Sequence, residues 1–185
     1  MANDADNVRV ALTGSIYMAP KGSTAPTDLD TAWDAAWLDL GFMSDDGVAM
    51  EYSTDVEDIN AWQSLSPVRR VLTSVDMTLG FTAIELKSRT VTAYFPGSTI
   101  TNVSGAIQRL DIPAAPGPQE YAFGLEWLDG DIKNRLVVPR GEITGRESIT
   151  LGRSSAVGLG MTVSAYASSA PEIATWLSND PAWAA

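Results

Sequence analysis

Cysteine and histidine are both missing from the 185 residues. Without cysteine no disulfide framework forms. Without either residue there is no Cys/His metal site, no thiol nucleophile and no imidazole base. A Ser-His-Asp triad is excluded outright. Long apolar runs are missing too, and nothing approaches the ~18 residues that a membrane-spanning helix needs. The start, Met1-Ala2-Asn3-Asp4-Ala5-Asp6, is acidic and polar, where a secretory signal has a basic start and an apolar run. Basic residues are few: 12 against 23 acidic ones, a net charge of −11. Affinity for duplex phosphate comes mainly from Lys and Arg, so this balance argues against DNA binding, and equally against an anionic membrane surface. The expectation is a soluble protein made in the cytoplasm and used there, or carried out as part of an assembly.

What is present is ordinary for a folded chain: 45% hydrophobic and 19% charged residues. The length predicts one domain over residues 1–185, able to bury about 70% of its unfolded surface without staples. The charge is uneven. Residues 1–66 hold 12 acidic and two basic side chains, residues 67–110 two and five, and residues 111–185 nine and five.

Period-2 alternation dominates the pattern. Val75, Met77, Leu79, Phe81 and Ala83 fall on one face of a long strand, with Asp76, Thr78, Gly80 and Thr82 on the other. Tyr121, Phe123, Leu125 and Trp127 alternate with Ala122, Gly124 and Glu126. Val157, Leu159, Met161, Val163 and Ala165 alternate with Gly158, Gly160, Thr162 and Ser164. Val8, Val10 and Leu12 begin a strand running to about Met18, and Val48, Met50 and Tyr52 begin another after an Asp46-Gly47 turn. Asp129-Gly130 predicts a hairpin with a type I′ turn joining strands 119–128 and 131–138, with Pro139 and Gly141 breaking or bulging the second.

Helical signal is confined to residues 85–95, stopped by Pro96-Gly97 and weakened by Thr90, Val91 and Thr92, a short segment at 172–177 behind Pro171, and one turn within 30–36. Residues 19–34 and 111–118 read as long loops, and loops of that length are usually functional or mobile. The predicted class is mainly β: a sandwich or barrel with one flanking α-helix and long loops.

No chemistry emerges from the polar residues. Asp28 and Asp30 begin a pattern faintly like a calcium loop, but its sixth and twelfth places hold Trp33 and Asp39 instead of Gly and Glu. Carboxylate pairs for glycoside hydrolysis arise by chance among 23 acids. Gly158-Leu159-Gly160 lies inside a strand pattern and is no nucleotide loop. Asp55, Glu57 and Asp58 read as a solvated strand face or a contact surface. Trp33, Trp37 and Trp62 read as interface anchors or, alternatively, as the stacking platform of a non-catalytic carbohydrate-binding module. No catalytic residue, cofactor or metal is expected.

One ordered set of segments is familiar. It begins with Gly14-Ser15-Ile16-Tyr17-Met18-Ala19-Pro20. It continues through Trp37-Leu38-Asp39-Leu40-Gly41-Phe42-Met43-Ser44-Asp45-Asp46-Gly47-Val48 and Asp55-Val56-Glu57-Asp58-Ile59-Asn60-Ala61-Trp62-Gln63. Pro67-Val68-Arg69 and the long strand 73–86 follow. This order resembles the major tail proteins, or tail-tube proteins, of siphovirus-type bacteriophages with long non-contractile tails, particularly those of actinobacteria.

The resemblance implies a tail-tube β-sandwich or split barrel in a virion. Hexameric rings would stack into a tube that encloses the tape measure protein, meets the tail terminator and distal tail proteins, and conducts DNA to the host. In such a tube the small and polar strand face, Asp76, Thr78, Thr82, Thr162 and Ser164, would line the bore. Arg69, Arg70, Asp55, Glu57, Asp58 and Trp62 are candidates for contacts between subunits. Asp28, Asp30 and Trp33 belong to a loop at 19–34 implied to touch the next ring, and residues 168–185 to a C-terminal arm. An acidic bore would let DNA slide.

Overall fold

A computed structural model describes residues 4–168 and 171–184. The alternating segments form strands. These are β1 (Thr13–Pro20), β2 (Leu38–Asp39), β3 (Met43–Ile59), β4 (Arg69–Ala83), β5 (Thr99–Ser104), β6 (Ile107–Asp111), β7 (Glu120–Asp129), β8 (Ile132–Arg146), β9 (Leu159–Ala165) and β10 (Thr175–Ser178). The one α-helix among the described residues, α1, spans Ser88–Tyr94. Eight strands make one antiparallel sheet in the order β2-β1-β7-β8-β9-β4-β3, with β10 added beside β8, while β5 and β6 form a separate two-stranded ribbon.

The two margins of the large sheet meet at one corner. β2 pairs with β1, then Leu40, Gly41 and Phe42 carry the chain straight into β3 on the far margin. The Leu40 N–H donates to the Ile16 carbonyl and the Ile84 N–H to the Phe42 carbonyl, so this corner stitches β1 to β4. Gly41 turns it with φ +89°, where a Cβ would collide with the Glu85 carboxylate. The result is a barrel closed at one end and split at the other, in keeping with the mainly β sandwich or split barrel expected.

The predicted inward faces of β4 and β9 are the buried ones, whereas β7 is buried on both faces because Ala122 joins a second cluster with Ala19, Trp37 and Val137. Met77, Leu79, Phe81, Leu159, Met161 and Val163 pack with Ile16, Phe123, Leu136 and Val138 in the main core. Ala93 and Tyr94 of α1 lie against it. The helix is short because Thr90, Val91 and Thr92 are poor helix formers; the buried Thr90 hydroxyl instead donates to the Leu40 carbonyl at 3.0 Å, and Gly97 (φ +70°) ends the turn. Phe123 is 1% exposed. Phe123→Ala is expected to cost about 3–5 kcal/mol, from lost transfer energy plus a cavity; urea unfolding checks this through the midpoint.

Several local expectations are corrected. β1 begins at Thr13, not Val8. Asp45, Asp46 and Gly47 (φ +70°) form an irregularity inside β3 between Met43 and Val48, not a turn before it. The β7–β8 turn places Gly130 (φ +59°) first and leaves Asp131 out of the left-handed region, the pattern of type II′ rather than I′. Of the two outcomes expected at Pro139 and Gly141, the bulge is present: Phe123 faces Val138 and Tyr121 faces Gly141, so the bulge absorbs the missing N–H and β8 runs on. Residues 30–36 form turns without helix. The expected helix at 172–177 is instead β10, since Thr175 and Trp176 are strand formers and β8 offers an open edge at residues 134–137. The β5–β6 hairpin, turning at Gly105 (φ +55°), carries no assignment in the sequence reading.

Candidate assembly surface

The five residues expected on a small, polar face do share one. Thr78 lies directly opposite Ser164, Gly80 opposite Thr162, and Thr82 opposite Gly160. Thr78, Thr82, Thr162 and Ser164 are half-buried, and Asp76 at the open end is exposed. The row through Thr78 continues across five strands as Glu51, Thr78, Ser164, Glu142 and Glu120. It carries carboxylates at both ends and hydroxyls in the middle. Ser164 and Thr144 hydroxyls lie 2.7 Å apart. Glu120 is held between Arg140 and Lys21, and these hydrogen bonds, Arg140 first, draw its carboxyl down to about 2. Near Thr82 the face is covered, because Glu147 sits over Gly160.

The β3–β4 hairpin outruns the sheet. β9 pairs with β4 only from Ala83 back to Met77. Residues 69–76 of β4 and their partners on β3 therefore overhang by about 26 Å at a strand's usual rise per residue. Both faces of this overhang meet solvent, including Val56, Ile59 and Leu72, and at its tip Trp62 is 99% and Leu65 108% exposed. The six residues expected at subunit contacts, Arg69, Arg70, Asp55, Glu57, Asp58 and Trp62, all sit on this arm or its tip. Arg70 is bound to Asp58 within the hairpin, its Nε donating at 2.7 Å, and that hydrogen bond lowers the Asp58 carboxyl pKa. The Ser74 hydroxyl donates to Asp55 at 2.9 Å. The outer edge of β3 has no neighbouring strand among the described residues.

The loop after β1 is laid over its own sheet. Trp33 lies against Gly124, where any side chain would collide with the indole. It stacks on Tyr17 at 4.9 Å, leans on Trp37 at 4.6 Å, and has the Arg135 guanidinium 4.9 Å from its ring. Arg135 also donates to the Asp28 carbonyl at 2.5 Å and to Glu126 at 2.6 Å, and Lys133 pairs with Asp30 at 2.7 Å. The Asp28 carboxylate accepts from the Asp30 and Thr31 amides and the Thr31 hydroxyl; the Thr31 amide contributes most to its lowered pKa. Trp37 is buried, with its indole N–H on the Thr24 carbonyl. Neither Trp33 nor Trp37 thus offers the open ring that a sugar platform needs. Arg135, which organises this loop, escaped the sequence reading; its signal is a lone arginine in the apolar strand segment Leu136-Val137-Val138.

Beyond residues 169 and 170, which with Ala185 lie outside the described residues of the expected C-terminal arm, the chain docks as β10. Trp176 packs edge-on to Trp127 at 4.9 Å and to Trp183 at 5.0 Å. Arg9 clamps Asp180 with two hydrogen bonds of 2.6 and 2.8 Å, and this contact chiefly draws the Asp180 carboxyl down to about 2. A depressed carboxylate stabilises docking above its unfolded value and loses that contribution as pH falls through the folded one. The arm is therefore expected to loosen from about pH 4 towards pH 2, and Asp180→Asn to loosen it at neutral pH. Amide exchange at Trp176 and Leu177 reads both.

Where the barrel is split, a cleft of about 760 Å³ separates the β1 and β3 margins. Leu12, Ile16 and Trp127 line one wall and Met43, Val48 and Met50 the other. No helix of the described residues is long and apolar enough to cross a membrane.

No curated protein matches the chain. A family model described as phage tail tube protein does, over residues 1–185. A polar sheet face, an open strand margin and an overhanging apolar arm are what a subunit completed by its own copies requires, and this chain belongs to the phage tail tube protein family.

Proposed function

We propose that this virion protein polymerises as stacked hexameric rings, with the face of Asp76, Thr78, Thr82, Thr162 and Ser164 turned to a central bore. The tube would enclose the tape measure protein during assembly, join tail terminator and distal tail proteins at its ends, and pass DNA in a non-contractile tail. The carrying observation is the β3–β4 hairpin, which has an unpaired margin and two wet faces in a chain of the tail tube family. Open edges normally invite aggregation. Pairing with a neighbour round a closed ring removes them, and stacking extends the ring to a tube. The bore face supports the same reading: its carboxylates and small hydroxyls repel phosphate instead of holding it. The loop at 19–34, with Trp33 anchored and Asp28 and Asp30 on its outer side, would act as a stiff ledge against the next ring.

Negative-stain microscopy of concentrated protein tests the reading: rods of uniform width with an axial channel are expected, and monomers at every concentration would refute it. Salt gives a second measurement. Copies carrying −11 each repel. Polymerisation should therefore strengthen as the Debye length shrinks to about 3 Å near 1 M salt. Steady weakening with salt would mean instead that attraction of Arg69 and Arg70 to a neighbour's acidic residues 1–66 dominates.

A further inference from the structure

The hairpin tip and the split-barrel cleft are both apolar and without a partner among the described residues, and they lie on different parts of the molecule. The cleft walls are strand margins, not a closed pocket. Among the described residues, residues 13–15 of β1 have no neighbour across from β7 on one side, and β3 has none across from β4 on the other. Phe42 at the mouth is 75% exposed, and Leu12 and Met50 are exposed beside it. The acidic groups lining the cleft are Asp39, Asp45 and Glu85, against one base, Lys87. The large apolar residues of the tip are Trp62, Leu65 and Val68; at its base stand Arg69 and Arg70, with Arg70 already paired to Asp58.

We propose that the tip of one copy seats Trp62 and Leu65 in the β1/β3 cleft of the next copy. This rests on the assembly reading above and adds the contact that drives it. The tip cannot reach its own cleft. Val48 in the cleft wall and Ile59 at the tip belong to the same strand, about 36 Å apart at its usual rise. A cleft of several hundred cubic ångströms is ample for two or three side chains. Each chain has one tip and one cleft, so the contact is head-to-tail, and any assembly that does not close on itself keeps a free tip at one end and a free cleft at the other. Such a contact does not close on a pair, and it propagates. It also brings Arg69 towards the acidic lining, so attraction is local although the chains repel overall.

The absence of native cysteine makes the test clean. Leu65→Cys protein is mixed with Met50→Cys or Leu12→Cys protein under mild oxidation, with Leu151→Cys, on an exposed loop, as the control partner. The proposal expects disulfide-linked pairs of the first two mixtures well above the control. It also expects Trp62→Ala/Leu65→Ala to raise the concentration needed for rods by about 30-fold, as loss of a central hot spot does. Both side chains are fully exposed, so the variant's unfolding midpoint should match that of the parent. Wild-type rods together with control-level crosslinking, or a double variant that assembles normally, would overturn the tip-in-cleft contact and leave the tube reading standing. Wild-type protein that forms no rods at all would overturn both.

Discussion

Replacing residues 54–75 with an Asn-Gly turn should abolish tube formation and leave the folded monomer intact. The argument is one of burial. Ser53 faces Asp76, so a two-residue turn can close the shortened hairpin without changing register. The first fully buried residue of β4 is Met77, and the whole main core lies on the retained side. The lost segment contributes no core contact, so stability should change by no more than about 0.5 kcal/mol, the range of surface substitutions away from special features. Assembly loses the long free edge of β3, the exposed apolar residues of the arm and the tip. Calorimetry and microscopy on the same sample separate the two effects. A truncated protein that still forms normal rods would show that the arm is dispensable, and one that fails to fold would show that the overhang supports the monomer after all.

The second large effect concerns what the bore does to DNA. Asp76→Lys/Thr162→Lys changes each subunit by three charges on the face assigned to the lumen. Neither residue is buried, and they are not cross-strand partners, so no like-charged pair is created on the sheet. In a closed ring the change is repeated at every subunit. Tubes of this variant should retain short duplex DNA present during polymerisation at low salt. The retained fraction should fall steeply with salt, with a log–log slope of about −0.9 for each phosphate neutralised. Wild-type tubes should retain almost none. Co-sedimentation of labelled duplex measures both. Equal retention by the two proteins would place this face outside the bore.

How far the sequence could be read differs from one element to the next. The faces of β4 and β9 are legible because period-2 alternation reports burial directly, and Thr78, Thr162 and Ser164 fall on the outward side as alternation requires; β7 is less so, because a loop covers Ala122 and Gly124 on its other face. The residues singled out at 55–70 were found as a charge cluster. That they form an overhanging arm was invisible, because overhang depends on where β9 stops pairing. The C-terminal segment was misread as helix because its local preference is weak and an open stretch of β8, far away in the chain, decided it. The β5–β6 ribbon was missed since its residues are mostly polar and alternate poorly. What packs the Trp33 ring, Arg135 and Gly124, lies about a hundred residues later in the chain, beyond the reach of local pattern.

The sequence by itself therefore determined the β class, the inward faces and the acidic, cysteine-free chemistry, together with the family the chain belongs to. Composition and local periodicity are properties of neighbours in the chain. Tertiary structure alone decided the corner at Gly41 that closes one end of the barrel, the cleft left at the other, and the length of hairpin left without a partner. Those depend on which strands lie side by side, and that is set by the balance of burial and hydrogen bonding over the whole sheet.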